Sequence, residues 1–129
     1  MRTILIVDDE KHIRDIYKRI VTASGRSLFR ILESDNALDA AGYIVKENVD
    51  LVLLDIRMSE VNGQQLYKAI RRWNPHVKVV VISVYPIEQQ KKMIPGADGY
   101  YDKSEGPIRL LEKVVNLFAG GENGAFNLN

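Results

Sequence analysis

Acidic side chains stand directly behind two of the most apolar segments of this chain. The first segment ends at Asp8 and Asp9, and the second ends at Asp55. Two later segments end in other polar groups, one at the hydroxyl of Ser83 and the other at the ammonium of Lys103. If the fold brings these groups together, their carboxylates, hydroxyl and ammonium suit a divalent cation and a phosphoryl group.

The apolar segments predict the strands of a sheet that would position those groups. Helices with an apolar stripe alternate with segments that are apolar throughout, which indicates parallel strands buried on both faces. The predicted strands cover residues 3–7, 27–33, 50–55, 77–82 and 99–102.

Strands that alternate with helices in this way predict an α/β fold with a doubly wound parallel sheet and right-handed crossovers. In the flavodoxin-like order 2-1-3-4-5, the ligand crevice lies between the carboxyl ends of strands one and three. That order would place Asp8, Asp9 and Asp55 at the crevice. Aspartates this close repel one another, and a hard cation such as Mg²⁺ would relieve the repulsion.

The helices are less sharply defined by the pattern than the strands. Ser34 or Asp35 is suited to cap the second helix, whose predicted inward stripe includes Leu38 and Val45. The fourth helix, over residues 87–94, has the thinnest apolar stripe. It is predicted to have the lowest local stability.

Each candidate residue also has an ordinary structural interpretation. Asp9 is suited to cap the first helix, and Asp55 could be a solvated strand end. Ser83 could be a turn hydroxyl, and Lys103 a solvated loop lysine. The four ordinary interpretations would all have to be correct together for this group of residues to have no shared function. The functional interpretation is therefore favoured. Tyr17 lies on an apolar helix stripe and is interpreted as a core residue.

Length and composition limit the classes of function. The 129 residues suffice for one domain with a full core, and the net charge of +1 gives no basic surface for nucleic acid. The sequence contains no cysteine, no signal-peptide pattern and no apolar segment of the ~20 residues that span a bilayer. A cytoplasmic protein that binds neither nucleic acid nor membrane is expected.

Several short motifs, in order and at the right spacing, resemble the receiver domain of two-component response regulators over residues 2–118. The resemblance implies a receiver domain over residues 1–119. The polar, glycine-containing composition of residues 120–129 predicts a flexible tail or the start of a linker. The motifs comprise residues 7–10, 55–58, 62–63 and 96–103, together with Ser83.

The resemblance implies a role for each acidic residue at the crevice. Asp55 would accept a phosphoryl group from a phosphohistidine of a sensor histidine kinase. Asp8 and Asp9 would hold Mg²⁺ together with Asp55 and the backbone carbonyl of Arg57. A carboxylate is a competent nucleophile for such a transfer.

The resemblance also implies a conformational switch. Lys103 would bind the phosphoryl group, and Ser83 and Tyr100 would be the switch residues that change the face formed by helix four, strand five and helix five. Ser104 departs from the family, which usually has proline there. The expected partners are the kinase and either an output domain or a downstream protein, with weak homodimerisation on phosphorylation.

The sequence fits two other classes of function less well. A small Mg²⁺-dependent phosphatase of the aspartyl-phosphate type would have an acid where Arg57 stands. A flavodoxin-like electron carrier would have a phosphate cradle rich in Ser, Thr and Gly after Val7, which this chain lacks. We therefore expect a phosphoacceptor that assists its own phosphorylation and dephosphorylation, and not an enzyme that turns over a free substrate.

Overall fold

The computed structural model describes residues 1–23, 28–56 and 62–119. Within these residues, strands and helices alternate along the chain. The start of the second predicted strand, the carbonyl of Arg57 and the predicted tail 120–129 lie outside the described residues. The elements are β1 (Arg2–Val7), α1 (Lys11–Thr22), β2 (Phe29–Ser34), α2 (Ala37–Lys46), β3 (Leu51–Asp55), α3 (Asn62–Trp73), β4 (Lys78–Ser83), α4 (Ile87–Met93), β5 (Gly99–Asp102) and α5 (Pro107–Ala119).

The strands form one parallel sheet in the order β2-β1-β3-β4-β5, which confirms the predicted fold. The register aligns the carboxyl ends of its strands. Val7 pairs with Leu54 across β1 and β3, so Asp8 and Asp55 are the next residues of adjacent strands. Ser83 pairs with Asp102 across β4 and β5, one residue before Lys103. The polar groups predicted to converge therefore lie at one edge of the sheet.

Alternate side chains of each strand enter two apolar cores, one on each face of the sheet. In β1, for example, Leu5 and Val7 enter the core beneath α2, α3 and α4. Ile4 and Ile6 enter the core beneath α1 and α5. Truncating such fully buried side chains to alanine costs about 2–5 kcal/mol. The strands are thereby held on both faces and provide a rigid edge for the site.

The second helix differs from its prediction at its start and along its inward face. Its N-cap is Asn36, whose side chain accepts the N–H of Asp39 at 2.8 Å. Ser34 does not cap the helix, because its hydroxyl donates to the Asn36 carbonyl at 2.7 Å. Ala40 and Ile44 face the core, whereas Leu38 is 82% exposed. At about 100° per residue, Leu38 points well away from the stripe that Ala40 defines. Val45 is likewise exposed rather than inward.

None of the helices in the described part of the chain combines the length and the apolar character needed to cross a membrane.

Candidate functional site

Asp55 ends β3 with its side chain only 1% exposed. One carboxylate oxygen, Oδ2, accepts a hydrogen bond from the Tyr17 hydroxyl at 2.9 Å and lies 2.9 Å from the Nζ of Lys103. The other, Oδ1, is buried and has no hydrogen-bond partner among the described residues. The two oxygens of this carboxylate are therefore held very differently by the protein.

Asp8 lies beside Asp55 and is also buried, at 3% exposed. Its Oδ1 accepts the backbone N–H of Glu10 at 2.7 Å. Burial, followed by the neighbouring Asp8, raises the pKa of Asp55 to about 7 against the opposing effect of Lys103. A pKa this far above the ordinary value of an aspartate means that the protein alone does little to neutralise the negative charge of the ionised carboxylate.

A cavity of about 140 Å³ opens next to these two aspartates, lined in part by Asp9, Asp35 and Gly63. Asp9 is exposed at this cavity and is not the cap of α1, because the N-cap residue is Glu10. A Cβ at Gly63 would lie 2.6 Å from the Ile56 side chain, so glycine keeps the start of α3 close to the end of β3. This close approach forms one wall of the cavity.

The residues present fit a hard divalent cation, although they do not form a complete site alone. In residues 1–23, 28–56 and 62–119, no three acidic or histidine side chains converge closely enough to hold a metal ion. Mg²⁺ commonly uses only one or two carboxylates and takes its other ligands from water and phosphate oxygens. The buried Oδ1 of Asp55 and the carboxylate of Asp8 beside it are donors of the required kind.

Lys103 reaches Asp55 from a short 3-10 turn, Lys103–Glu105, that is fixed by a reciprocal capping arrangement. The Asp102 side chain accepts the N–H of Ser104 at 2.9 Å, and the Glu105 carboxylate accepts the N–H of Asp102 at 3.0 Å. The N–H that Ser104 donates is one that proline would lack. This turn positions the lysine without the proline that is usual in the family the sequence resembles.

The two predicted switch residues use their polar groups elsewhere in this structure. Ser83 is buried, and its Oγ accepts the N–H of Tyr85 at 3.1 Å, which is the turn role considered from the sequence. Tyr100 is half-buried; its hydroxyl donates to the Ile94 carbonyl at 2.5 Å and accepts the Ala97 N–H at 3.2 Å. Both residues thus stabilise the loops on either side of α4.

Tyr17 is a residue of the site that the sequence analysis did not place there. It is a core residue as predicted, at 5% exposed, but its hydroxyl bonds to Asp55. Burial, followed by the charge of Asp55, raises the pKa of Tyr17 far above its ordinary value, so the hydroxyl keeps its proton and acts as a donor. A tyrosine on an otherwise aliphatic stripe is a usable signal, because a buried tyrosine hydroxyl usually has a partner.

Comparison with known proteins gives a consistent result. A family model described as the response regulator receiver domain matches residues 4–115. The transcriptional regulatory protein DegU of Brevibacillus brevis is 31% identical over 120 residues, which cover 92% of this chain and 50% of that protein. The response regulator SaeR of Staphylococcus aureus is 30% identical over 128 residues, which cover 91% of this chain and 50% of that protein. The chain therefore spans about half the length of these curated relatives.

Solved structures show the same fold. A CheY-like response regulator receiver domain protein of Methanospirillum hungatei superposes with a TM-score of 0.81 at 27% identity, covering 95% of this chain and 98% of that one. The response regulator TrrA of Thermotoga maritima, solved in complex with Mg²⁺ and BeF, superposes with a TM-score of 0.77 at 31% identity, covering 91% of this chain and 99% of that one.

Proposed function

This chain belongs to the response regulator receiver domain family of two-component signalling, and we propose that Asp55 is its phosphoacceptor, taking the phosphoryl group from a phosphohistidine of a sensor histidine kinase. The observation that carries this proposal is the asymmetry of the Asp55 carboxylate. Lys103 lies 2.9 Å from Oδ2, while Oδ1 is buried without a hydrogen-bond partner among the described residues. Membership in this family leaves the phosphatase and the electron carrier without support.

The proposed transfer is a displacement at phosphorus. An oxygen of the Asp55 carboxylate attacks the phosphorus atom, the phosphorus–nitrogen bond of the phosphohistidine breaks, and its electron pair goes to the imidazole. Such a transfer requires mainly positioning of the groups and neutralisation of charge on the phosphoryl oxygens. Burial fixes the position of Asp55, and the ammonium of Lys103 supplies a positive charge beside it.

Mg²⁺ is the proposed cofactor, held by Asp8, Asp9 and Asp55 together with the backbone carbonyl of Arg57 once the exposed Asp9 side chain turns towards the two buried carboxylates. When bound, the ion neutralises charge on the oxygens of the phosphoryl group and on the acidic cluster. The relative from Thermotoga maritima, whose structure contains Mg²⁺ and BeF, supports this proposal. Asp8 contributes a buried carboxylate beside Asp55, and Asp9 contributes an exposed one at the same cavity.

The phosphorylated domain is proposed to signal through the face formed by α4, β5 and α5. Ser83 would exchange its contact with the Tyr85 N–H for a phosphoryl oxygen, and Tyr100 would respond by repacking. The proposed partners are the kinase and either an output domain or a downstream protein, with weak homodimerisation of the phosphorylated form. Each phosphoryl group is lost by hydrolysis that the domain itself assists.

Intact-mass measurement after incubation with acetyl phosphate and Mg²⁺ tests the phosphoacceptor. The wild type should gain one phosphoryl group, and Asp55→Asn should gain none. Asp35→Asn is the matched control, because it removes an exposed carboxylate from the same cavity and should be labelled normally. Labelling of Asp55→Asn to the same extent as the wild type would refute the assignment. A wild type that acetyl phosphate does not label, and whose NMR shifts do not change with Mg²⁺ and beryllofluoride, would refute it too.

A further inference from the structure

We propose that the Tyr17 hydroxyl shortens the lifetime of the phosphorylated state by stabilising the Asp55 carboxylate as the phosphoryl group leaves. The inference rests on the proposed function and concerns the hydrolysis that removes the phosphoryl group from Asp55. It assigns to this side chain a role in setting the duration of the signal.

Tyr17 is held in place by the packing of its ring and by the anchoring of its helix. The ring is part of the buried core beneath α1 and α5. One turn earlier, the Arg14 guanidinium donates to the Asp8 carbonyl at 2.8 Å and to the Glu33 carboxylate at 3.1 Å. Lys18 lies 2.6 Å from the same glutamate. The hydroxyl therefore lies 2.9 Å from Asp55 on a helix that is tied to the edge of the sheet.

The pattern of donors assigns different roles to the two oxygens of Asp55. Oδ2 contacts both Tyr17 and Lys103, whereas Oδ1 is buried with no hydrogen-bond partner in the described part of the chain. Oδ1 is the oxygen suited to the cation, whereas Oδ2 is the oxygen whose charge the Tyr17 hydroxyl can stabilise. Whichever of the two attacks phosphorus, Oδ2 becomes an uncharged oxygen of the acyl phosphate.

The strength of the Tyr17 hydrogen bond changes along the reaction. In the acyl phosphate, Oδ2 is an uncharged bridging or carbonyl oxygen, whereas in the free carboxylate it shares a full negative charge. Hydrogen bonds to charged acceptors are roughly twice as strong as those to neutral ones. Tyr17 therefore stabilises the carboxylate more than the acyl phosphate.

Hydrolysis returns this charge to Oδ2. Water attacks phosphorus, the bond between phosphorus and the bridging oxygen of Asp55 breaks, its electron pair goes to the Asp55 carboxylate, and the proton of the water leaves with the phosphate or to solvent. The bond from Tyr17 strengthens as the charge appears, so it stabilises the transition state relative to the acyl phosphate. Lys103 has a second acceptor in the phosphoryl oxygens, whereas the tyrosine hydroxyl, fixed on α1, remains with Oδ2.

The test compares Tyr17→Phe with the wild type after labelling by acetyl phosphate, removal of the donor, and measurement of the phosphorylated fraction over time by intact mass. The half-life should lengthen about 3- to 10-fold in Tyr17→Phe. Tyr67→Phe is the matched control. Tyr67 is 8% exposed in the core on the other face of the sheet, and its hydroxyl accepts a hydrogen bond from the Arg71 Nε at 3.0 Å. Its half-life should equal that of the wild type.

A second substitution separates the proposed role from a merely structural one. Site-specific replacement of Tyr17 by 3-fluorotyrosine keeps the ring and makes the hydroxyl a stronger donor, so the half-life should fall below that of the wild type. An unchanged or shorter half-life in Tyr17→Phe, or a longer one with 3-fluorotyrosine, would overturn the inference. If Tyr17→Phe does not fold, the fluorinated protein alone decides. A wild type that acetyl phosphate does not label and that does not respond to beryllofluoride would instead refute the proposed function.

Discussion

The buried position of Asp55 suits the proposed phosphoryl transfer, but it lowers the stability of the fold at neutral pH when no metal is bound. Burial chiefly, and then the neighbouring Asp8, raises its pKa from 3.8 to about 7. The folded state consequently binds a proton more tightly than the unfolded state. The stability that this group contributes is full below the unfolded pKa and is lost as the pH rises through the folded one.

Replacing Asp55 by asparagine should therefore stabilise the protein near neutral pH when Mg²⁺ is absent. In urea unfolding with a chelator, Asp55→Asn should raise the free energy of unfolding by about 1–3 kcal/mol at about pH 8. The gain should be largely lost by about pH 4, where the carboxyl of the folded wild type is protonated. A gain that is equal at the two pH values would show that the ionised carboxylate is not its cause.

The residues of the site could be predicted from the sequence to very different degrees. Asp8, Asp55 and Lys103 follow the ends of buried strands, and the parallel topology alone brings such residues to one edge. The contact of Tyr17 with Asp55 depends on the rotation of α1 about its own axis. The period of the apolar stripe defines that rotation only coarsely, so no sequence pattern indicated which group the hydroxyl would meet.

At the scale of elements, the short helix α4 is held in place by the hydrogen bonds of one buried side chain, Gln90. The helix is seven residues long, and its N-cap Pro86 provides no side-chain hydrogen bond. Gln90 is fully buried, and its Nε2 donates to the carbonyls of Tyr85 at 2.7 Å and Tyr101 at 3.0 Å. This one amide connects the helix both to the loop before it and to β5.

Gln90→Leu should loosen α4, because it leaves two carbonyls without their donor. The expected loss in the free energy of unfolding is about 2 kcal/mol, accompanied by faster amide exchange over Ile87–Met93. Gln89→Leu makes the same change at the neighbouring exposed position and should alter neither quantity appreciably. Equal effects of the two substitutions on exchange would mean that the buried amide does not anchor the helix.

The apolar pattern of the sequence predicted which helices and strands exist and their order. It predicted only in part which face of each helix points towards the core. Strands buried on both faces are defined by continuous apolar segments, and β5 begins and ends at the predicted residues. In α2, the competition among Ser34, Asp35 and Asn36 for the cap decided where the helix starts. Ser34 cannot be the cap, because it is the last residue of β2 and its hydroxyl donates to the Asn36 carbonyl.

At the scale of the whole molecule, the fold concentrates negative charge at one edge while the chain as a whole carries a net charge of +1. Asp8, Asp9, Asp35 and Asp55 all line the same cavity. The unfolded chain has no such arrangement of carboxylates. A cation that binds this edge therefore binds the native state alone, and its binding free energy adds to the stability of the entire domain.

Mg²⁺ should accordingly raise the melting temperature of the wild type by about 3–8 °C at saturating concentration, and a chelator should reverse the shift. Asp9→Asn should remove most of this shift, because it withdraws one proposed ligand. Asp35→Asn makes the same change of charge at the same cavity and should retain the shift. Differential scanning calorimetry at constant ionic strength measures all three proteins under matched conditions. If Asp35→Asn loses as much of the shift as Asp9→Asn, the ion responds to the negative potential of the cavity as a whole, and Asp9 is not a ligand.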